Sequence, residues 1–294
     1  MQYRIGEMGM GQLLDVAFSV VRDHYKPLII VAVLAFLPVA VITLAVVLGG
    51  MWPLFDQLMA FDATGQIPDP DATLRTMTPL FVGAGVLGVL WYLTTIVSEA
   101  AISFVGASHY LDNPVSPREA LRYCFSRWWS LLKTALLIAL IVLGVMIGGG
   151  VAVTLAIVGL GMVGGGLLAG LTGFVLVTAL LVGIMLLFLR YLLALKIVVL
   201  EGMDGREALA RSAFLMKGTY GRAFILLFLL GVAGNIIGSA AQFIPFLPVA
   251  MVVSIAVQVT IYVYSTTVWT MYYFSNRCRH ENFDLLLLAE EAAR

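Results

Sequence analysis

Apolar residues in this chain run on in long, unbroken stretches. Six of these, near 27–50, 79–106, 130–157, 168–194, 222–243 and 247–275, are almost free of charge. At 1.5 Å per residue, a helix of about 20 apolar residues crosses about 30 Å of hydrocarbon. Strands of a membrane barrel would be about 10 residues long and would alternate polar and apolar positions; these runs do neither. The pattern predicts an all-α, polytopic membrane protein with six transmembrane helices in three hairpins, occupying 1–294 as a single membrane domain.

Between the runs the pattern changes. Ser116 with Glu119, and Asp204 with Glu207, each set a capping residue three positions before a glutamate, the form of a capping box. Pro117 stands at a first helical position, where its missing N–H costs nothing. Helical periodicity follows both. In the first segment Leu121, Cys124, Phe125, Trp128 and Leu132 fall on one face, and Arg118, Arg122 and Ser126 on another. In the second, Ala208, Leu209, Ser212, Leu215 and Met216 oppose Arg206, Arg211 and Lys217. A fainter third copy aligns Gly9 and Gln12 with the cap and third position, Leu14 with Leu121 and Leu209, and Phe18 with Phe125; its polar stripe is Asp15, Ser19 and Arg22. Helices of this kind lie in the membrane surface. The chain thus reads as three pseudo-repeats, about 9–106, 116–194 and 204–275, each an in-plane amphipathic helix followed by a two-span hairpin, with a tail at 276–294.

Composition supports this reading. Of 294 residues 61% are hydrophobic and 12% charged, with mean hydropathy +1.01, against about 45–50% and about 25% in soluble domains. The formal net charge is zero, but its distribution is uneven. Among 17 Lys and Arg, Arg75 alone falls in the loop between the first two spans, which carries Asp56, Asp62, Asp69 and Asp71. The positive-inside rule then places both termini and all the in-plane helices in the cytoplasm. The first 26 residues, with Glu7, Asp15 and Asp23, are expected to remain as mature structure, because a signal peptide needs a basic start and an apolar core. Basic faces attract anionic headgroups at about 1 kcal/mol per charge, making Arg118, Arg122, Arg206, Arg211 and Lys217 candidate lipid-facing residues.

Catalytic signatures are weak. Cys124 and Cys278 are far apart, and His24, His109 and His280 read as separate surface histidines outside any zinc-binding spacing. The segment at 204–211 is similar to the Asp-Gly-x-x-Ala-Arg opening of CDP-alcohol phosphotransferases, but Leu209 stands at the arginine position and the next aspartate is Asp284. No metal, cofactor or enzyme activity is expected. Ionisable residues inside spans mark functional candidates. Glu99 and Arg190 sit at similar depth and form a candidate intramembrane pair; the alternative is that each snorkels separately, along with Lys196. Glu201 is expected to turn the chain out of span four and meet Arg206 or Arg211, and Pro38 to kink span one. Gly144 and Gly148, Gly161 and Gly165, and Gly166 and Gly170 have the spacing that lets helices approach closely. Span six carries a polar strip, including Ser254, Gln258, Thr260, Tyr262, Tyr264, Ser265, Thr266 and Thr267, which either lines a cavity or bonds neighbouring helices.

Three stretches, GQLLDVAFSVVRDHYKPLI, SPREALRYCFSRWWSLL and VVLEGMDGREALARSAFLMKG, make the chain resemble a bacterial family: the membrane domain associated with glycerophosphoryl diester phosphodiesterases, together with related six-span proteins. The resemblance covers nearly the whole chain and implies the bacterial cytoplasmic membrane. Family members fused to a catalytic barrel give the family its name. Such a barrel takes about 250 residues, whereas only residues 276–294 follow span six, so phosphodiesterase activity is not expected here. The expected function is a non-enzymatic membrane scaffold or partner-binding module, with anionic lipids and a protein as partners and no nucleic acid. The alternative is a transporter or lipid-handling protein with a site near Glu99 and Arg190.

Overall fold

Residues 6–64, 70–240 and 243–292 are described by the structure, a computed structural model. Among them the chain forms α1 (Met10–Asp23), α2 (Tyr25–Thr64), α3 (Pro70–Tyr110), α4 (Pro117–Ser126), α5 (Trp128–Gly164), α6 (Gly166–Tyr191), α7 (Ala194–Leu200), α8 (Gly205–Leu215), α9 (Tyr220–Ala240), α10 (Leu247–Glu281) and α11 (Phe283–Ala292). Six segments are long and apolar enough to cross a membrane: Tyr25–Val46, Phe81–Tyr110, Trp128–Met162, Gly166–Leu200, Tyr220–Ala240 and Val252–Glu281. Helix α2 lies against α3, α5 against α6, and α9 against α10.

The acidic stretch after span one is largely helix. At 40 residues, α2 is about 60 Å long, roughly twice the hydrocarbon thickness. Residues 51–64 are rich in Met, Leu, Ala and Gln, good helix formers, and Pro70 opens α3 at the position that tolerates proline. Asp56 and Asp62 therefore belong to α2 and Asp71 to α3, while Asp69 lies outside the described residues. Pro38 does not interrupt α2.

Burial is concentrated at one end of the bundle. Ala17, Leu28, Ile102, Leu131, Ile197, Leu215 and Tyr273 are closed to solvent and share one core. In the described parts of 33–95, 136–188 and 227–262, by contrast, only Val39, Ala169 and Gly173 are buried. Contacts there are mostly within a helix pair: Phe36 meets Trp91 at 5.2 Å, and Gly149 and Gly173 sit against Leu180 and Ile157. These two glycines, not most of the spaced pairs, admit close α5–α6 packing, since a Cβ at Gly144, Gly148, Gly165, Gly166 or Gly170 would meet nothing within 4 Å. One aromatic contact, Phe36 edge-on to Tyr262 at 5.6 Å, bridges two pairs. Apolar helices gain little from leaving lipid for each other, and burial in the outer halves stays low.

The short helices α1, α4 and α8 precede α2, α5 and α9, and burial follows one register. Four and eight residues after the positions of Gly9, Ser116 and Asp204 stand Leu13 and Ala17, Ala120 and Cys124, and Ala208 and Ser212, all buried. Ser116 caps α4 as expected: its Oγ accepts from the Glu119 N–H at 3.3 Å, and Glu119 accepts from the Ser116 N–H at 3.1 Å. In α1 the reciprocal half exists, with Gln12 Oε1 accepting from the Gly9 N–H at 3.2 Å. Asp204 departs from the pattern; its side chain makes no cap bond. Phe125 lies outside the buried face: it is 61% exposed and shares an outward stripe of α4 with Arg118 and Arg122, at spacings of four and three residues. Trp129, at the start of α5, is exposed as well.

Candidate functional site

The segment Glu201–Gly205 is a hub. Gly202 has φ +78° and Gly205 φ +53°, left-handed conformations that glycine adopts without Cβ strain. The Arg127 guanidinium donates to the Gly202 carbonyl at 3.1 Å and lies 5.3 Å from the centre of the Tyr123 ring. Asp204 reaches across to α5, accepting from Lys133 Nζ at 2.6 Å and from Ser130 Oγ at 3.1 Å. Those bonds draw its carboxylate away from the cap and hold its carboxyl below the usual range, the Lys133 bond contributing most. The Gly205 N–H donates to Thr134 Oγ1 at 2.8 Å.

Glu201 begins a network of alternating charge. It accepts from Arg211 Nε at 2.8 Å and from the Tyr273 hydroxyl at 2.7 Å. Arg211 also pairs with Glu281, and Arg277 Nε donates to Glu281 at 3.2 Å. Arg277 closes the set over the Phe283 ring, 4.0 Å from its centre. Two guanidiniums and two carboxylates thus neutralise one another where α7, α8, α10 and α11 meet. Of the two arginines named for Glu201 in the sequence, Arg211 is the one it meets.

Glu99 has a different partner from the expected one. Lys196 Nζ donates to Glu99 Oε1 at 2.5 Å, with the Lys196 side chain 0% exposed and that of Glu99 26% exposed. The α6–α7 helical course is interrupted at Leu192–Leu193, and α7 packs on α3, carrying Lys196 to Glu99. Lys196 therefore does not snorkel. Arg190, six residues earlier, is exposed; its guanidinium lies 5.8 Å from the centre of the Tyr191 ring, and its carbonyl accepts from Ser212 Oγ at 2.8 Å. Glu99 and Arg190 do not form an ion pair.

Arg118, Arg122, Arg206 and Lys217 project from the base as exposed side chains. Arg211 leaves that set, because Glu201 and Glu281 hold it. His24 and His109 are stacked, with ring centres 4.1 Å apart, so they are not separate surface histidines. Among the described residues, no three His, Cys, Asp or Glu side chains are grouped to hold a metal.

The polar strip of α10 divides. Ser254, Gln258, Tyr262 and Ser265 face a cleft of about 550 Å³ shared with Asn235 and Ser239 of α9. Thr260 and Tyr264 face an apolar cleft beside Phe18, and Thr266 and Thr267 are buried.

Sequence reasoning missed Arg127, Lys133, Lys196, Arg277 and Glu281 as partners. The Arg277–Glu281 spacing of four residues is a visible helical ion-pair signal. Lys196, inside an apolar stretch continuing to Leu200, is a visible sign of burial. Comparison with protein-family models, curated proteins and solved structures finds no match to this chain.

Proposed function

We propose that this chain is a non-enzymatic, multi-pass scaffold of the bacterial cytoplasmic membrane, in which three repeats build a rigid cytoplasmic base for a partner protein or membrane process. The supporting observation is the use of charge at the base. Glu99, Glu201, Asp204, Arg211, Arg277 and Glu281 are committed to one another or to Lys133 and Lys196, leaving Arg118, Arg122, Arg206 and Lys217 projecting. The common burial register of α1, α4 and α8 supports the repeat, and membership of the family it resembles is part of the same reading. The base rests on anionic headgroups, with Phe125 and Trp129 inserted beside Arg118 and Arg122.

The test is lipid selectivity. The protein, with every tryptophan except Trp129 replaced by Phe in both the reference and the test variant, is placed in nanodiscs of mixed phosphatidylglycerol and phosphatidylcholine, and energy transfer from Trp129 to labelled lipids reports the composition next to the base. The reference enriches phosphatidylglycerol. Replacing Arg118, Arg122, Arg206 and Lys217 together by Gln removes about 1 kcal/mol of attraction per charge and abolishes the enrichment. Unchanged enrichment in that variant refutes the headgroup contact.

A further inference from the structure

From the cleft between α9 and α10 we infer a binding site for an uncharged lipid bearing hydroxyl and ester oxygens, of the diacylglycerol class. This inference is independent of the scaffold reading. The cleft holds about 550 Å³, within the usual range for small-molecule sites. It spans residues 254–265 of α10, about 10 to 27 Å from the start of that helix, and 230–239 of α9, from mid-helix to one residue short of its end, and so runs from the outer end of the spans into hydrocarbon depth.

The cleft is polar where lipid chains offer no hydrogen bonds. Ser254, Gln258 and Ser265 face it and make no hydrogen bond among the described residues. Asn235 gives one amide proton to its own helix at Gly231 O, 2.8 Å away, and Ser239 gives its hydroxyl proton to Ile236 O at 2.9 Å, so their oxygens remain as acceptors. An amide without a partner in hydrocarbon is costly, so Gln258 calls for a ligand offering both donors and acceptors. Lining side chains include no carboxylate, ammonium, guanidinium or imidazole, which disfavours phosphate and other ions at this depth. A free hydroxyl beside ester carbonyls matches the donor and acceptor set without charge.

The α9 wall is built for access. A Cβ at Gly231 or Gly238 would meet nothing within 4 Å, so the missing side chains leave that space to the cleft. At the closed side Gly234 sits against Ile261, where a Cβ would come within 3.2 Å of Cγ2. Exposed Val232, Ile236, Val252 and Ile255 give acyl chains an apolar path from the cleft into the bilayer.

The experiment uses the full chain in phosphatidylcholine nanodiscs with a photoactivatable diacylglycerol, crosslinked and mapped by peptide mass spectrometry. Saturable labelling of 230–240 and 252–266 is expected, competed by unlabelled diacylglycerol and not by phosphatidic acid with the same chains. Gln258→Leu should weaken labelling about tenfold, equivalent to about 1.4 kcal/mol, and Gly238→Leu should block it by filling the cleft. Gln258→Leu keeps a good helix former at that position, and an unchanged melting temperature for each variant separates lost binding from lost folding. Non-saturable labelling spread equally over α5 and α6 overturns the inference. So does equal competition by phosphatidic acid, or a crosslinked dimer with the cleft covered by a second copy.

Discussion

Removing Glu99 is the sharpest perturbation the bundle offers. Its carboxylate meets Lys196 Nζ at 2.5 Å, and the Lys196 side chain is wholly buried. At an effective dielectric of about 20, charges that close attract by about 7 kcal/mol before the cost of desolvation, which is several kcal/mol per ion. The net worth of the pair is therefore small, but removing one partner leaves a buried charge uncompensated, at about 3–5 kcal/mol. The two single variants should differ. Glu99→Leu strands a fully buried ammonium and falls near the upper end, whereas Lys196→Met strands a carboxylate that keeps some exposure and costs less. Glu99→Leu with Lys196→Met removes both charges and should recover most of the loss. Reversible unfolding in mixed micelles by added dodecyl sulfate, followed by circular dichroism, measures all four corners of the cycle. A coupling of at least about 2 kcal/mol is expected. Arg190→Gln, at an exposed site, should change stability by less than about 0.5 kcal/mol and add independently to Glu99→Leu. A cost below about 1 kcal/mol for Glu99→Leu, or a double variant as unstable as the sum of the singles, refutes the reasoning.

Further outcomes follow from the hub. Gly202→Ala must hold φ +78° and bring its Cβ within 2.9 Å of Arg127 Nη1, so it should lose about 1–2 kcal/mol, while Gly221→Ala, in open helix, should be neutral or stabilising; thermal melts separate the two. Because Lys133 and Ser130 lower the Asp204 carboxyl in the folded state, its contribution is complete above the ordinary carboxyl range and is lost as pH falls through the depressed folded value. Melts between pH 6 and pH 3 should show a steeper loss in wild type than in Asp204→Asn. Burial pushes the Cys124 thiol up to about 12, so a maleimide at pH 8 should label it only after unfolding; rapid labelling of the native protein contradicts its place under α4.

The spans were legible because twenty apolar residues in a row have few alternatives to a membrane helix. Ser116 was legible for a local reason: its bonding partner is three residues away. Asp204 carries the same local pattern but bonds to Lys133, 71 residues distant in sequence, and no local rule decides between a cap and a distant ammonium. Glu99 failed similarly. A rise of 1.5 Å per residue gives the height of Arg190 and Lys196, but six residues at 100° each turn them about 120° apart, and the interruption at Leu192–Leu193 decides which one meets α3. Phe125 was grouped with Cys124 on one apolar face, yet Cys124 is buried and Phe125 is 61% exposed. In a protein whose lipid-facing surface is itself apolar, hydrophobicity does not distinguish core from exterior. That ambiguity also hid the basal concentration of the core, because the outer halves of the spans are equally apolar yet little buried.

The account places the ion-paired base and its basic helices in the cytoplasm, with the α9–α10 turn on the opposite side. Single cysteines replacing Arg118 on α4 and Phe243 beside that turn, probed with an impermeant maleimide on bacterial spheroplasts, test this directly. Phe243→Cys is predicted to react in intact spheroplasts, and Arg118→Cys only after permeabilisation. Reaction of Arg118→Cys from outside, with Phe243→Cys protected, would contradict the orientation and the role assigned to the base.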